Sequence, residues 1–212
     1  WPYLWENPIA NFTHVLLFMS DNPTHLAVLF HGQIYRAGEL PLRYLPFMLV
    51  TTLTEPVWFL FLIGVVGAYW KRQKFHSMEQ TNRTNYFASL TLILLWFCIL
   101  LAYVLIKRPS MYDGFRHYLS IIPPVFIFSG FAIEFLFEKI KHAVERKISS
   151  ANRTTLPIWL RAGLMFVLIL PGILGITQLH PYEYTYYNTF IGGMDGAFRN
   201  YETDYWLTCY KD

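Results

Sequence analysis

Charged residues are scarce in this sequence, and their scarcity limits the classes of protein to which it can belong. Only 15% of the 212 residues are Asp, Glu, Lys or Arg, whereas 54% are hydrophobic and 19% are aromatic. A water-soluble domain of this size has too little interior to bury so much apolar surface. The composition therefore predicts that lipid solvates much of the chain.

Cysteine is also rare, which excludes a disulfide framework as the basis of the fold. Cys98 lies within an apolar run and Cys209 lies near the polar C-terminus, so we expect two free thiols at different depths. Metal-ligand spacing is missing too, because His14, His25 and His31 are scattered. We expect neither a metal nor another cofactor.

Three apolar runs are long enough to be transmembrane helices without help from their neighbours. Phe87 to Ile106 has twenty residues and no charge, and a helix of that length crosses a hydrocarbon core of roughly 30 Å. Tyr118 to Phe137 is the second run. Ala162 to Leu179 is the third, and its Pro171-Gly172 pair predicts a kink.

A fourth apolar run, Tyr44 to Trp70, is interrupted by Glu55 and Pro56. Because proline is tolerated in the first turn of a helix, we predict a helix from about Pro56 to Trp70 with a turn or more before it. Glu55 is then a carboxylate at the end of a span and a further candidate site residue. Either it faces water or a cation, or the helix dipole alone favours it there.

The charges between these runs predict the orientation of the chain. If four helices alternate in direction, the basic stretches at Lys71 to Lys74 and Glu138 to Arg153 fall on one side, which the positive-inside rule makes cytoplasmic. Most acidic residues fall on the other side. Because orientation explains the basic stretches, the net charge of +3 gives no reason to expect nucleic acid as a partner.

The predicted fold is an all-α polytopic membrane protein with about four transmembrane helices, interfacial helices and an outer-face C-terminal segment. It divides into an outer-face segment at 1–43, a four-helix transmembrane region at 44–179 and a tyrosine-rich outer-face tail at 180–212. Within the first segment, Pro8 to Ser20 has apolar residues at helical spacing but is too short to span. We predict that it lies flat in the membrane interface, before a turn at Asp21-Asn22-Pro23.

Cations concentrate around one carboxylate in the predicted outer loop KRPSMYDGFRHY. Arg116 can grip a lipid phosphate in a bidentate fork, and His117 or Lys107 can add a second contact. The residue types leave a second interpretation open, in which these cations contact ordinary lipid headgroups and Asp113 caps the turn that follows it.

The tail is dense in tyrosine and contains four acidic residues between His180 and Trp206. Tyrosine and tryptophan prefer the headgroup zone of a membrane and also stack on sugar rings, while carboxylates accept hydrogen bonds from hydroxyl groups. Two interpretations therefore stay open: an aromatic belt with solvated acids, or a surface that binds a sugar or an acceptor.

Three stretches of the sequence resemble a known family: GQIYRAGELPLRYLP, YDGFRHYLSIIPP and HPYEYTYYNTFIGGMDGAFRNYETDYW. They are similar to the later part of bacterial phospholipid-carrier-dependent glycosyltransferases related to protein O-mannosyltransferases, in the GT-C membrane superfamily. The resemblance implies an enzyme that transfers a sugar from a polyprenyl phosphate carrier, its substrate, to a hydroxyl group outside the cytoplasm. The residues that it implies for the donor phosphate are Arg116 and His117, with Tyr112 and Asp113 beside them, and the charge of the loop adds Lys107. Those for sugar or acceptor are Tyr182, Glu183, Tyr184, Glu202, Asp204 and Tyr205.

The resemblance also implies an acidic catalytic base in an outer loop that follows the first transmembrane helix, and this sequence has no such loop. We therefore expect the chain to be the C-terminal portion of the enzyme, with the base in an N-terminal portion or another subunit, and we assign no catalytic residue. The alternative is a non-catalytic structural subunit of a larger membrane complex. Either way, we expect a bacterial cytoplasmic membrane protein with both termini outside and with membrane lipids as partners.

Overall fold

The computed structural model describes residues 2–20, 26–70, 80–147 and 158–204, most of which are helical. In chain order the described elements are helices α1 (Pro2–Glu6) and α2 (Pro8–Ser20), strands β1 (Ala27–Phe30) and β2 (Gln33–Arg36), and helices α3 (Tyr44–Thr52), α4 (Glu55–Trp70), α5 (Gln80–Lys107), α6 (Ile122–Lys147), α7 (Ile158–Leu179) and α8 (Gly193–Ala197). Short 3-10 turns lie at Arg116–Ile121, Glu183–Thr185 and Thr189–Ile191.

Three of these helical segments are long and apolar enough to cross a membrane: Thr84–Lys107, Arg116–Ala143 and Ile158–Leu179. The three helices predicted from long apolar runs are therefore confirmed as helices. Their apolar side chains are largely uncovered by protein, and none of the most apolar window of α7 is buried. Such surfaces need lipid or another apolar partner. The helix α7 continues through Pro171, and a kink there stays a prediction.

The fourth predicted span differs from expectation, because α3 and α4 meet at an angle of 107° instead of forming one helix. The helix begins at Glu55, with Leu53 extended at φ −92° and ψ 154°, so the prediction of a turn or more before Pro56 was wrong. Proline has no N–H to donate to the carbonyl of Thr52, and its ring would crowd that carbonyl. The bent pair counts either as one broken span or as a re-entrant loop.

Close packing of α4 on α6 depends on a glycine. A Cβ atom built on Gly64 would lie 1.7 Å from the carbonyl oxygen of Phe128, so the two helix backbones touch there. Nearby, the Ser129 hydroxyl donates to the carbonyl oxygens of Val125, at 2.8 Å, and Val57, at 3.4 Å. The aromatic rings of Phe61 and Phe128 meet edge to face, 5.9 Å apart.

A β-hairpin near the N-terminus corrects the all-α prediction. Strands β1 and β2 pair antiparallel, with Ala27 opposite Arg36 and Phe30 opposite Gln33. The connecting residues His31 and Gly32 both have positive φ, at 51° and 70°. Two-residue hairpin loops favour this conformation because it matches the twist of the strands. The sequence analysis did not predict the two four-residue strands on either side of that loop.

The three segments predicted for the outer face are in contact with one another. Phe30 of the hairpin forms an isolated β-bridge with Tyr201 of the tail, and the Met111 N–H of the α5–α6 loop donates to the Ala37 carbonyl at 3.0 Å. They share one hydrophobic cluster, whose members include Val28, Phe30, Ala37, Tyr44, Leu45, Met48, Met111, Ile121, Tyr187, Ala197 and Tyr201.

The predicted helix at Pro8 to Ser20 is confirmed as α2, with Ile9 81% exposed and Phe12 58% exposed. Its position in a membrane interface stays a prediction. Several predictions fall outside the described residues, namely those on the Asp21-Asn22-Pro23 turn, the basic stretch Lys71 to Lys74, Arg153, Tyr205 and Cys209.

Candidate functional site

The loop between α5 and α6 makes a tight turn at Asp113 and Gly114, which have φ values of 52° and 71°. Positive φ favours glycine and is tolerated by aspartate. The turn brings the Gly114 N–H within 3.1 Å of the hydroxyl oxygen of Tyr44, a fully buried residue at the start of α3. The α5–α6 loop is thereby fixed to the segment that follows the hairpin.

Four of the residues predicted for the donor phosphate lie together, and we name them the Arg116 cluster: Tyr112, Asp113, Arg116 and His117. The Arg116 guanidinium forms an ion pair with the Asp113 carboxylate, with 2.7 Å between Nη2 and Oδ2, and lies 4.9 Å from the Tyr112 ring centroid. Arg116 Nε lies 3.5 Å from His117 Nε2. Lys107, the fifth predicted residue, is exposed at the end of α5.

Glu202 from the tail meets this loop through Tyr44. The Tyr44 hydroxyl donates to Glu202 Oε2 at 3.1 Å while it accepts from the Gly114 N–H. The Tyr187 hydroxyl donates to the Glu202 backbone carbonyl at 2.9 Å. The predicted phosphate loop and part of the predicted acceptor tail are therefore adjacent in space.

Both carboxyl groups in this region hold their protons more tightly than usual. Burial raises the pKa of Glu202 to about 7; the nearby Asp113 charge also raises it, while hydrogen bonds from Tyr44 and from backbone N–H groups lower it. Burial likewise raises the pKa of Asp113, against the opposing effects of Arg116 and His117. A carboxyl group that titrates near neutral pH can exchange a proton with a bound hydroxyl group.

No family model, curated protein sequence or solved structure matches this chain. The resemblance to the GT-C glycosyltransferases thus remains a prediction from the three sequence stretches. The geometry of the described side chains is the further evidence that bears on the function of the chain.

The remaining predicted acceptor residues divide between two places. The Tyr184 hydroxyl donates to Asp204 Oδ1 at 3.5 Å, and the rings of Tyr182 and Tyr184 are 6.4 Å apart. Glu183 instead pairs with His180, with 2.6 Å between Oε1 and Nδ1. The hydrogen bond from its own backbone, followed by the one from His180, lowers the pKa of Glu183.

Glu183 also lines a separate cleft of about 180 Å³ beside α7, together with Thr54, Gly172, Gly175 and Tyr186. The Tyr186 ring fills the space over Gly175, where an added Cβ would lie 2.6 Å from Tyr186 Cε2. Burial raises the pKa of Tyr186 to about 12, and the charge of Glu55 adds to the effect. The Tyr186 hydroxyl therefore stays protonated at neutral pH. The predicted acceptor set is thus not a single surface.

Glu55, the further candidate, fixes the tail to the start of α4. Its Oε1 accepts hydrogen bonds from the Thr189 N–H at 2.7 Å and from the Thr189 hydroxyl at 2.8 Å. Its Oε2 is buried and has no hydrogen-bond partner among the described residues. The contact with Thr189 thus pairs one carboxylate oxygen of Glu55, while the described residues offer no hydrogen-bond donor to the other oxygen.

Asn188, which the sequence reasoning missed, occupies the corner between α3 and α4. Its side-chain Nδ2 donates to the carbonyl oxygens of Val50 at 2.7 Å and Leu53 at 2.9 Å, and its backbone N–H donates to the Thr51 carbonyl at 2.8 Å. Asn188 is 1% exposed. The last carbonyl oxygens of a helix have no N–H donor within the helix, and at the end of α3 Asn188 supplies the missing donors.

The sequence reasoning also missed Tyr44, because this residue carries no signal other than its place in the stretch GQIYRAGELPLRYLP. Its role depends on contacts with residues about 70 and 158 positions away. Within the described part of the chain, no group of three or more His, Cys, Asp or Glu residues is placed to hold a metal ion.

Proposed function

We propose that this chain is part of a membrane glycosyltransferase that takes a sugar from a polyprenyl phosphate carrier and transfers it to an extracytoplasmic acceptor. The observation that carries the proposal is the contact of Glu202 in the tail with the Asp113–Gly114 turn, which Glu202 meets both directly and through Tyr44. It joins a partly exposed guanidinium, suited to a phosphate, to a segment rich in tyrosine and carboxyl groups, suited to a sugar or an acceptor.

The proposed membrane arrangement has four crossings, in which α5, α6 and α7 are complete spans and α4 is the longer half of a span broken at Leu53 and Thr54. The three outer-face segments share a core next to the C-terminal end of α5 and the N-terminal end of α6. In a bacterial cytoplasmic membrane that core faces the periplasm, with both termini on the same side.

The chemistry of transfer assigns binding roles to the residues of the chain. The acceptor oxygen forms a bond to the anomeric carbon, the bond between that carbon and the phosphate oxygen breaks, and the phosphate keeps the electron pair. Arg116, which is 33% exposed, is held by Asp113 before a donor arrives, so little reorganisation accompanies binding. The acceptor proton needs a base, and we assign that role to no residue of this chain.

A structural role without catalysis is the second candidate, and one observation favours it. Asp113 already neutralises Arg116, and the bonds from Tyr44 already engage Glu202 and Gly114. A set of groups that satisfy one another also stabilises a subunit of a larger membrane complex.

The substitution Arg116→Ala separates the two candidates. In membranes that contain the complete protein, transfer of a labelled sugar from a polyprenyl phosphate donor should fall by about tenfold or more, because the phosphate loses a charge-assisted contact. Arg36→Ala removes an exposed cation from β2 on the same face and is the matched control. Unchanged transfer rates with a lower unfolding temperature for Arg116→Ala would favour the structural role.

A further inference from the structure

An apolar groove of about 490 Å³ runs between α4 and α6, on the half of these helices far from the Arg116 cluster. Its volume is within the range of pockets that hold organic ligands. The α4 side contributes Leu62, Val66 and Trp70, which lie one turn apart, so they form one continuous stripe of the helix surface. All three are more than half exposed.

Lys139 is the one charged residue that lines this groove in the described part of the chain. Its Nζ lies 5.3 Å from the centroid of the Phe135 ring, which forms the α6 side of the groove. The neighbouring acids Glu134 and Glu138 are on the same helix but are not part of the lining. Among the described residues no carboxylate lines the groove, so an occupant that carries an anion suits the Lys139 ammonium group better than an uncharged one.

Trp70 indicates where this end of the groove lies in the membrane. It is the last residue of α4 and lines the groove together with Lys139. Tryptophan favours the boundary between hydrocarbon and headgroups, and lysine and arginine near that boundary attract anionic lipids. The apolar stripe and the Lys139 ammonium group thus match the acyl chain and the headgroup of an anionic lipid.

We propose that this groove binds an anionic phospholipid of the cytoplasmic leaflet, with an acyl chain along Leu62, Val66 and Trp70 and the phosphate beside Lys139. The proposal depends on the membrane orientation given above and not on glycosyl transfer. Gly67 is buried at the floor of the groove, and a Cβ atom there would lie 3.5 Å from the Phe135 ring, so the glycine allows Phe135 to pack close to α4.

Native mass spectrometry of the purified full chain tests the proposal, with phosphatidylglycerol and phosphatidylcholine of identical acyl chains as probes. We expect the unmodified protein to retain phosphatidylglycerol about fivefold more tightly than phosphatidylcholine, since one lysine near the membrane surface contributes roughly that factor. Lys139→Gln should remove this preference while the protein still binds both lipids. Val66→Trp, which fills the groove at an exposed position, should reduce binding of both.

Arg161→Gln is the matched control, because Arg161 also lies over an aromatic ring, 5.8 Å from the Phe137 centroid, but does not line the groove. It should retain the lipid preference of the unmodified protein. Equal retention of the two lipids by the unmodified protein, or an equal loss of preference in Arg161→Gln and Lys139→Gln, would overturn the proposal. Activity of the transferase site is a separate measurement that neither outcome affects.

Discussion

Glu202 and Asn188 bury polar atoms among backbone groups from distant parts of the chain. Glu202 meets the Asp113–Gly114 turn, and Asn188 meets the end of α3. Buried polar groups are costly without hydrogen bonds, so each of these side chains restricts the tail to one position. The contribution of each side chain to stability is measurable as a change in the free energy of unfolding.

The raised pKa of Glu202 predicts that part of the stability depends on pH. An unburied glutamate titrates near 4.5, whereas burial raises the pKa of Glu202 to about 7 in the folded chain. Between these values the unfolded chain loses a proton that the folded chain keeps, so the contribution to the free energy of unfolding is greatest below 4.5 and is lost as the pH rises through 7. The slope is at most about 1.4 kcal/mol per pH unit.

Glu202→Gln removes this titration and isolates its effect. We expect the difference in unfolding free energy, unmodified protein minus variant, to fall with increasing pH across that range in chemical denaturation experiments. A difference that stays constant or rises with pH would contradict a raised pKa at Glu202.

Asn188→Ala should destabilise the chain much more than an equivalent change at an exposed asparagine. The variant leaves the carbonyl oxygens of Val50 and Leu53 without their donor, at about 1–3 kcal/mol for each buried unpaired group. Asn200→Ala is the control, because the Asn200 amide also donates to two backbone carbonyls but is exposed, where water replaces it. Thermal unfolding in detergent measures both; equal shifts would argue against the capping role.

At the scale of the elements, the sequence predicted those helices whose apolar runs continue for a full span. The positions of α5, α6 and α7 follow from runs of about twenty mostly apolar residues, a signal that needs no information about neighbours. The interruption at Pro56 was visible in the sequence, but the partner Asn188 that satisfies the carbonyls at the corner between α3 and α4 was not. The hairpin consists of two short strands that no long pattern marks. The Arg116 cluster was predictable because its members are close in sequence, whereas its contact with Glu202 through Tyr44 was not.

The contact between α4 and α6 predicts a strong position dependence for glycine substitutions. Gly64→Ala places a methyl group 1.7 Å from the Phe128 carbonyl oxygen, so the helices must separate, at a cost of about 1–3 kcal/mol. Gly130→Ala, on α6, meets nothing within 4 Å and should be neutral or stabilising by up to about 1 kcal/mol. Unfolding temperatures of the two variants give the comparison. Similar values would show that the close approach is absent.

For the whole molecule, the exposed apolar helix surfaces and the core shared by the hairpin, the α5–α6 loop and the tail occupy different regions. The helices expose apolar side chains along their lengths, while the hairpin, the α5–α6 loop and the tail share one core. This separation is what a protein needs when one part is solvated by lipid and the other by water.

Cysteine labelling tests the proposed orientation in a background without Cys98 and Cys209. Ile34→Cys lies at an exposed position of the hairpin, and Ala143→Cys lies at an exposed position near the other end of α6. We expect a membrane-impermeant maleimide to label the first in cells with a permeabilised outer membrane, and the second only after the cytoplasmic membrane is opened. Labelling of both positions from one side would contradict the proposed crossings.

The bridge between Phe30 and Tyr201 joins residues at opposite ends of the described chain, and this has a consequence for biosynthesis. A ribosome delivers the hairpin well before Tyr201, so this bridge cannot form until the intervening helices have been synthesised. Completion of the core shared by the hairpin and the tail is therefore a late event in maturation, and a chain that ends before Tyr201 lacks one of the aromatic rings that pack on Phe30.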